Sequence, residues 1–123
     1  MHSMKRVLVT GGAGFIGSHI TELLLSQGHE VIVLDNFSTG NADNLAHLRD
    51  SPRLTIVRED IAGHSDLTPY FQNKDWVFHL AALADIVPSV EHPFLYHRSN
   101  VHGTVQVLEA ARKAGVKRFL YAA

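Results

Sequence analysis

Apolar residues along the chain fall in short runs joined by polar, glycine-containing segments, and their period switches back and forth between strand and helix. Lys5 to Thr10 is apolar and β-branched and stops at Gly11-Gly12, which predicts a short buried strand. From Gly14 to Gln27 the apolar positions Phe15, Ile16, His19/Ile20, Leu23 and Leu24 recur at helical spacing, and Gly28 stands where a helix C-cap belongs. Glu30 to Asp35 predicts a second buried strand, Asn36 to Asn44 a turn-rich loop, and Leu45 to Arg49 a short helix. A third strand is expected over Leu54 to Val57, ending near Asp60. His64 to Gln72 reads as a weak helix interrupted by Pro69. Asp75 to Ala82 is a fourth strand. A long helix from about Pro93 to Ala114 carries Val101, Val105, Leu108 and Ala111 on one face and closes at Gly115, and Arg118 to Ala122 begins a fifth strand.

The predicted order is β-α-β-α-β-α-β-α-β. Strands alternating with helices imply a doubly wound parallel α/β sheet, and of the orders such sheets take the Rossmann-type 3-2-1-4-5 is the expected one. The pattern shows no internal repeat, low-complexity segment or linker. The domain is expected to run from Met4, the expected natural start, to Ala123 and to be incomplete there, because its last strand should be central. That arrangement leaves an apolar edge, for which a homodimer or an edge-paired oligomer is the expected cover.

Composition narrows the class. At 123 residues the chain holds one domain at most, with 46% hydrophobic and 19% charged residues and a formal charge of −1. No basic surplus suggests nucleic acid or a membrane surface, and no apolar run reaches the roughly 20 residues of a membrane span. There is no cysteine, which excludes disulfides, thiolate nucleophiles and cysteine metal sites. The start leads at once into a strand rather than a signal peptide, so a cytoplasmic location is expected.

Candidate chemistry begins at Thr10-Gly11-Gly12-Ala13-Gly14-Phe15-Ile16-Gly17, between the first strand and the first helix. In that context a glycine turn reads as a phosphate cradle. Gly11 or Gly12 allows the tight turn, Gly14 lets a pyrophosphate approach the backbone, and Gly17 allows close helix packing. The helix N-terminus then offers unpaired N–H groups to the phosphates. The spacing fits both Gly12, Gly14, Gly17 and Gly11, Gly14, Gly17. Asp35 follows Gly17 by 18 residues, at the tip of the second strand, where a carboxylate accepts from ribose hydroxyls and repels a 2′-phosphate. No Arg or Lys lies between Asp35 and Asn44, which favours NAD over NADP.

With these residues in place, the sequence resembles the extended short-chain dehydrogenase/reductase family, and within it the NAD-dependent nucleotide-sugar epimerase/dehydratase group. The matching residues are Thr10 to Gly17, Asp35 to Gly40, Asp60-Ile61, His79 to Ala82, Asn100-Val101-x-Gly103-Thr104 and Arg118 to Ala123. The resemblance favours the register Gly11, Gly14, Gly17. It implies that Phe15 and Ile16 follow the pyrophosphate turn, and that Asp35, Asn36 and Ser38 surround the adenosine ribose. It further implies that Asp60 and Ile61 hold the adenine, that Leu80, Ala81 and Ala82 line the cofactor, and that Asn100 lies near the nicotinamide half. Some UDP-galactose epimerases carry a lysine at the position of Ala84, so the run Ala81 to Leu83 with Pro88-Ser89-Val90 looks closer to UDP-N-acetylhexosamine epimerases. Ser89 is then a candidate contact at the substrate end. For the parent protein the resemblance implies 4-epimerisation by transient hydride transfer to NAD+, or else a dehydratase, decarboxylase or reductase of the same family. A non-catalytic dinucleotide-binding module is the reading from another class.

The family's catalytic serine or threonine and its Tyr-x-x-x-Lys are not among these residues, so the chain alone is expected to be inactive. Tyr70-Phe71-Gln72-Asn73-Lys74 matches that pattern as a string but precedes the fourth strand. A motif outside its structural context carries no weight, so Tyr70 is expected against the sheet and Lys74 in solvent. Of the nine histidines, His92, His97 and His102 are five apart, which does not give the shared helix face of a metal pair. His79 is expected to be buried in a strand with one polar partner, His19 and His29 to fall at helix and turn positions, and no metal is expected.

Overall fold

A computed structural model describes residues 3–37, 41–63, 66–80, 94 and 98–121. The expected positions Ser38, Ala81, Ala82, Ala84, Ser89, His92 and His97 lie outside these residues. Five strands form one sheet: β1 (Arg6–Thr10), β2 (Glu30–Asp35), β3 (Leu54–Arg58), β4 (Trp76–His79) and β5 (Arg118–Tyr121). Every pairing is parallel, as the alternation of elements predicted, and the order β3-β2-β1-β4-β5 is the one expected of a Rossmann-type sheet. Among the described residues, the α-helices that join them are α1 (Phe15–Ser26), α2 (Thr68–Phe71) and α3 (Gly103–Ala114).

The sheet is covered on both faces, which explains the near-continuous apolar runs of β1 and β2. Alternate residues of a strand point to opposite sides. Leu8, Leu34 and Val77 therefore meet Phe71 of α2 and Val107, Ala110 and Ala111 of α3. Val7, Val9, Val31 and Val33 meet Leu24 and Leu25 of α1, with Leu45 beside them. The outer strand β3 is half-buried at Leu54 and Val57 and exposed at Thr55, Ile56 and Arg58.

Several boundaries and faces differ from the sequence reading. The segment expected as a helix from Leu45 is a 3-10 helix, Ala42–Leu48, opened by the Asn41 side chain accepting from Asp43 N–H at 2.9 Å. Pro69 does not interrupt a helix but stands in the first turn of the short α2, where a missing N–H is harmless. The fourth strand ends at His79 rather than Ala82. The long helix is described from Arg98 as a π turn, Arg98–His102, that runs into α3 and closes at Gly115 in the left-handed region, φ 71°.

The largest difference concerns helix faces. α1 buries Gly17, Ser18, Thr21, Leu24 and Leu25, whereas Phe15, Ile16 and Leu23 are exposed. α3 buries Gly103, Val107, Ala110 and Ala111, whereas Val101, Val105 and Leu108 face outward. Small residues make up much of both buried faces, and the buried stripe lies one position along from the expected one in α1 and two in α3, where only Ala111 is common to both.

Candidate functional site

β2 and β4 flank β1 on opposite sides, so the chain's direction across the sheet reverses beyond the carboxyl end of β1. That reversal is where open parallel sheets form their ligand crevice. The loop leaving β1 turns at Gly11, φ 74°, whose N–H donates to Leu34 O at 2.8 Å, and Gly14 N–H donates back to Gly11 O at 3.1 Å. This assigns the turn to Gly11. Gly12 has a different duty: a Cβ there would stand 2.6 Å from Val33 Cγ1, so only glycine lets the loop lie on β2. Gly17 packs its backbone against Gly11 O and Gly12 Cα, a contact within the loop more than with the strand.

α1 starts at Gly14 without a side-chain cap and with no acidic residue in its first turn. Its leading N–H groups are therefore not satisfied by side chains, which suits an anion at that end. Asp35 lies at the tip of β2, only 8% exposed. Its Oδ2 accepts from Ala13 N–H at 3.0 Å and its Oδ1 from Phe37 N–H at 2.7 Å. Each carboxylate oxygen has a second lone pair, so both bonds leave acceptor capacity for a diol. The glycine loop and the carboxylate are thus one bonded unit. Asn41 N–H and Asn44 Nδ2 both donate to Ala13 O and brace the same loop from the 3-10 helix side.

The segment after β3 starts beside this unit, since Glu59 N–H donates to Asp35 O at 3.1 Å. Asp60 Oδ1 accepts from Ala62 N–H at 2.9 Å, and the Ile61 side chain is buried against Gly103 of α3. Leu80 follows β4, with its N–H shared between Thr10 O and Thr10 Oγ1 at 3.0 and 3.1 Å. Phe15 and Ile16 open α1 with exposed side chains, 76% and 60%, and Asn36 is exposed just past Asp35. Asn100 sits half-buried in the π turn before α3 rather than within regular α-helix. Gly11, Gly14, Asp35, Asp60, Ile61 and Leu80 occupy the carboxyl-end rim or the loops rising from it, with Gly17 in the first turn of α1.

Thr10, Thr104, Gln106 and Arg58 have structural roles at this rim that the sequence did not assign. His79 is 1% exposed and has two polar partners rather than one: Nδ1 lies 2.6 Å from Thr10 Oγ1, and Nε2 lies 2.9 Å from Thr104 Oγ1. Thr10 and Thr104 thereby link the ends of β1 and β4 to α3. Gln106 bonds to the segment after β3. Arg58, the partner of Asp35 in the β2–β3 register, holds its guanidinium 4.8 Å from the centre of the Phe37 ring. The first three could be found only by folding the chain, although Thr10 and Thr104 flank motif glycines. The Arg58 contact follows from strand register.

The decoy motif lies in and just after α2, before β4, and its tyrosine is engaged in packing and in a bond to the segment after β3. The Tyr70 hydroxyl donates to Glu59 Oε2 at 3.2 Å with its ring against the core beside α2, as expected of a packing residue. Lys74 is half-buried rather than fully solvated, and its Nζ donates to Gln72 O at 3.3 Å. Loss of hydration pushes its ammonium pKa below the ordinary lysine value.

Burial pushes the His79 imidazole down from 6.5 to about 4, because a charged ring would lose its hydration there. The unfolded chain therefore binds a proton between those values that the folded chain refuses. Stability from this group is complete above about pH 6.5 and declines as the pH falls toward 4, by up to about 3 kcal/mol. In His79→Gln the slope of stability against pH over that interval is expected to flatten, as urea unfolding at pH 7.5 and 5 will show. An unchanged slope would assign the pH dependence to other groups.

A family model described as NAD dependent epimerase/dehydratase family matches residues 7–123. UDP-glucuronic acid decarboxylase 1 of Arabidopsis thaliana is 42% identical over 115 residues, which are 94% of this chain and 25% of that protein. A UDP-N-acetylglucosamine 4-epimerase from Methanobrevibacter ruminantium superposes with a TM-score of 0.88 at 38% identity, covering 96% of this chain and 37% of that one. A dTDP-glucose 4,6-dehydratase from Streptomyces venezuelae, solved with NAD bound, gives a TM-score of 0.87 at 40% identity over 93% of this chain and 38% of that one. The chain thus spans between a quarter and two fifths of the length of these relatives. Among the described residues no helix is long and apolar enough to cross a membrane. The cradle at Gly11, the uncapped start of α1, the rim carboxylate and a family match over nearly all residues agree: the chain belongs to the NAD dependent epimerase/dehydratase family.

Proposed function

We propose that this chain is the NAD-binding part of a nucleotide-sugar 4-epimerase, a cytoplasmic enzyme that passes hydride to NAD+ and back through a 4-keto sugar. The observation that carries the cofactor reading is the bond from Ala13 N–H to Asp35 Oδ2, which ties the pyrophosphate loop to a ribose-reading carboxylate. On this reading Gly11, Gly14, Phe15, Ile16 and Gly17 form the pyrophosphate turn, with Asp35, Asn36 and Ser38 at the ribose. Asp60 and Ile61 take the adenine, Leu80, Ala81 and Ala82 line the cofactor, and Asn100 lies toward the nicotinamide. The 4-epimerase among the solved neighbours supports the reaction, and the parent would supply the serine or threonine and the Tyr-x-x-x-Lys together with a substrate domain. Exposure of Val105 and Leu108 on α3 supports a self-associated parent. A decarboxylase is the second reading, supported by 42% identity to a UDP-glucuronic acid decarboxylase, which a UDP-glucose 4-epimerase equals.

Calorimetric titration of the chain with NAD+ tests the core of the proposal. One saturable site is expected, with no turnover of UDP-glucose by the chain alone. Folded protein that takes up no NAD+ would overturn the assignment, and turnover would show that a catalytic base lies within these residues.

A further inference from the structure

The segment from Asp60 to Gly63 lacks regular secondary structure, yet it is tied to α3 at two points one helical turn apart. At Gly103 the helix has no side chain, and the Ile61 side chain fills the space: a Cβ there would stand 2.9 Å from Ile61 Cδ1. At Gln106 the carboxamide reaches over the same segment, with Nε2 donating to Ile61 O at 2.8 Å and to Gly63 O at 3.0 Å. Positions three apart lie on one helix face, so the two ties act together. Within the segment, Asp60 O accepts from Gly63 N–H at 3.0 Å, and Asp60 Oδ1 accepts from Ala62 N–H at 2.9 Å. The loop's own bonds therefore set the Asp60 carboxylate relative to the backbone of residues 61–63, and Gln106 sets that backbone relative to α3.

We infer that Gln106 is a positioning residue that fixes the base selectivity of the cofactor site by holding Asp60 to Gly63 in one conformation. The inference rests on the proposed adenine role of Asp60 and Ile61. Both N–H bonds of one carboxamide nitrogen are used, so no other group of the Gln106 side chain can replace that nitrogen. A glutamate at this position would set a carboxylate against two carbonyls. A methionine keeps the length and volume and donates nothing.

The test compares NAD+ with nicotinamide hypoxanthine dinucleotide, which replaces the adenine amino group by a carbonyl. The unmodified chain should bind NAD+ about tenfold more tightly, because a carboxylate that accepts from the amino group is opposed by a carbonyl there. Gln106→Met and Gln106→Glu should each lower that preference about three- to tenfold. A merely structural role would reduce the melting temperature, or weaken both dinucleotides in parallel, and leave the ratio intact. Folded variants that keep the full preference would overturn the inference about Gln106. Absence of any preference in the unmodified chain would instead overturn the adenine reading of Asp60 and Ile61. Should one variant fail to fold by circular dichroism, the other decides.

Discussion

Replacing Gly17 by alanine is expected to abolish dinucleotide binding and to lower stability by about 3 kcal/mol. The reason lies in what an added Cβ meets. At Gly17 it would overlap Gly11 O and lie 2.9 Å from Gly12 Cα, both backbone atoms of the loop that the helix must rest on. Gly11 O is already held as the acceptor for Gly14 N–H at 3.1 Å, so it has no direction in which to yield. Either α1 moves away from the loop or the loop opens, and both outcomes displace the helix N-terminus from the phosphates. The two neighbouring glycines supply controls. At Gly12 the obstacle is the Val33 side chain, which costs stability by forcing β2 to repack. At Gly14 a Cβ meets only Gly11 O at 3.4 Å, and φ is −75°, so alanine fits the fold. Gly14→Ala should therefore melt close to the unmodified chain yet bind NAD+ more weakly, if a phosphate comes close at that position. Thermal melts and calorimetric titration of the three variants separate packing from binding. Wild-type NAD+ affinity in Gly17→Ala would remove the loop as the pyrophosphate seat.

Much of this site could be read before folding because its key constraints are local. A strand, a glycine run and a helix in sequence leave little freedom about where the turn lies, and Gly11 adopts the left-handed conformation that the tight turn demands. That the sheet is parallel and doubly wound followed from the alternation of strands and helices, and its order is the one expected of a Rossmann-type fold. What escaped the sequence was set by close approach between elements. The helix faces were misjudged because Gly17 and Gly103 let α1 and α3 sit so near their neighbours that small residues became the buried ones. Periodicity weights large apolar residues and so favoured Val105 and Leu108, which are exposed. His79 was read as a buried strand residue, correctly, but its second partner comes from Thr104, 25 positions away on α3. Gln106 carried no signal at all, because its partners are backbone carbonyls.

Asp35→Ala is expected to lower stability by about 3 kcal/mol and, beyond that, to remove most of the discrimination between NAD+ and NADP+. The carboxylate has two separable roles. It accepts from Ala13 N–H and from Phe37 N–H in a site where water has little access, so truncation leaves two poorly hydrated donors without a partner. Phe37 adds to the cost: its φ of 60° lies in the left-handed region, and the bond to Asp35 helps to hold it there. Affinity for both dinucleotides should therefore fall together as the loop loosens. The second role is charge, and here Arg58 changes what the sequence implied. No cation lies between Asp35 and Asn44, yet Arg58 pairs with Asp35 across the β2–β3 register and covers the Phe37 ring. With the carboxylate gone, the Arg58 guanidinium is no longer offset by the carboxylate opposite it in the strand register, so NADP+ should lose less affinity than NAD+. The ratio of dissociation constants is expected to shift toward NADP+ by about tenfold, on the scale of one charge-assisted contact. Adding Arg58→Ala should reverse most of that shift while leaving the stability loss in place. If Asp35→Ala kept the full preference for NAD+ in folded protein, the carboxylate would be a brace for the glycine loop and not a reader of the ribose.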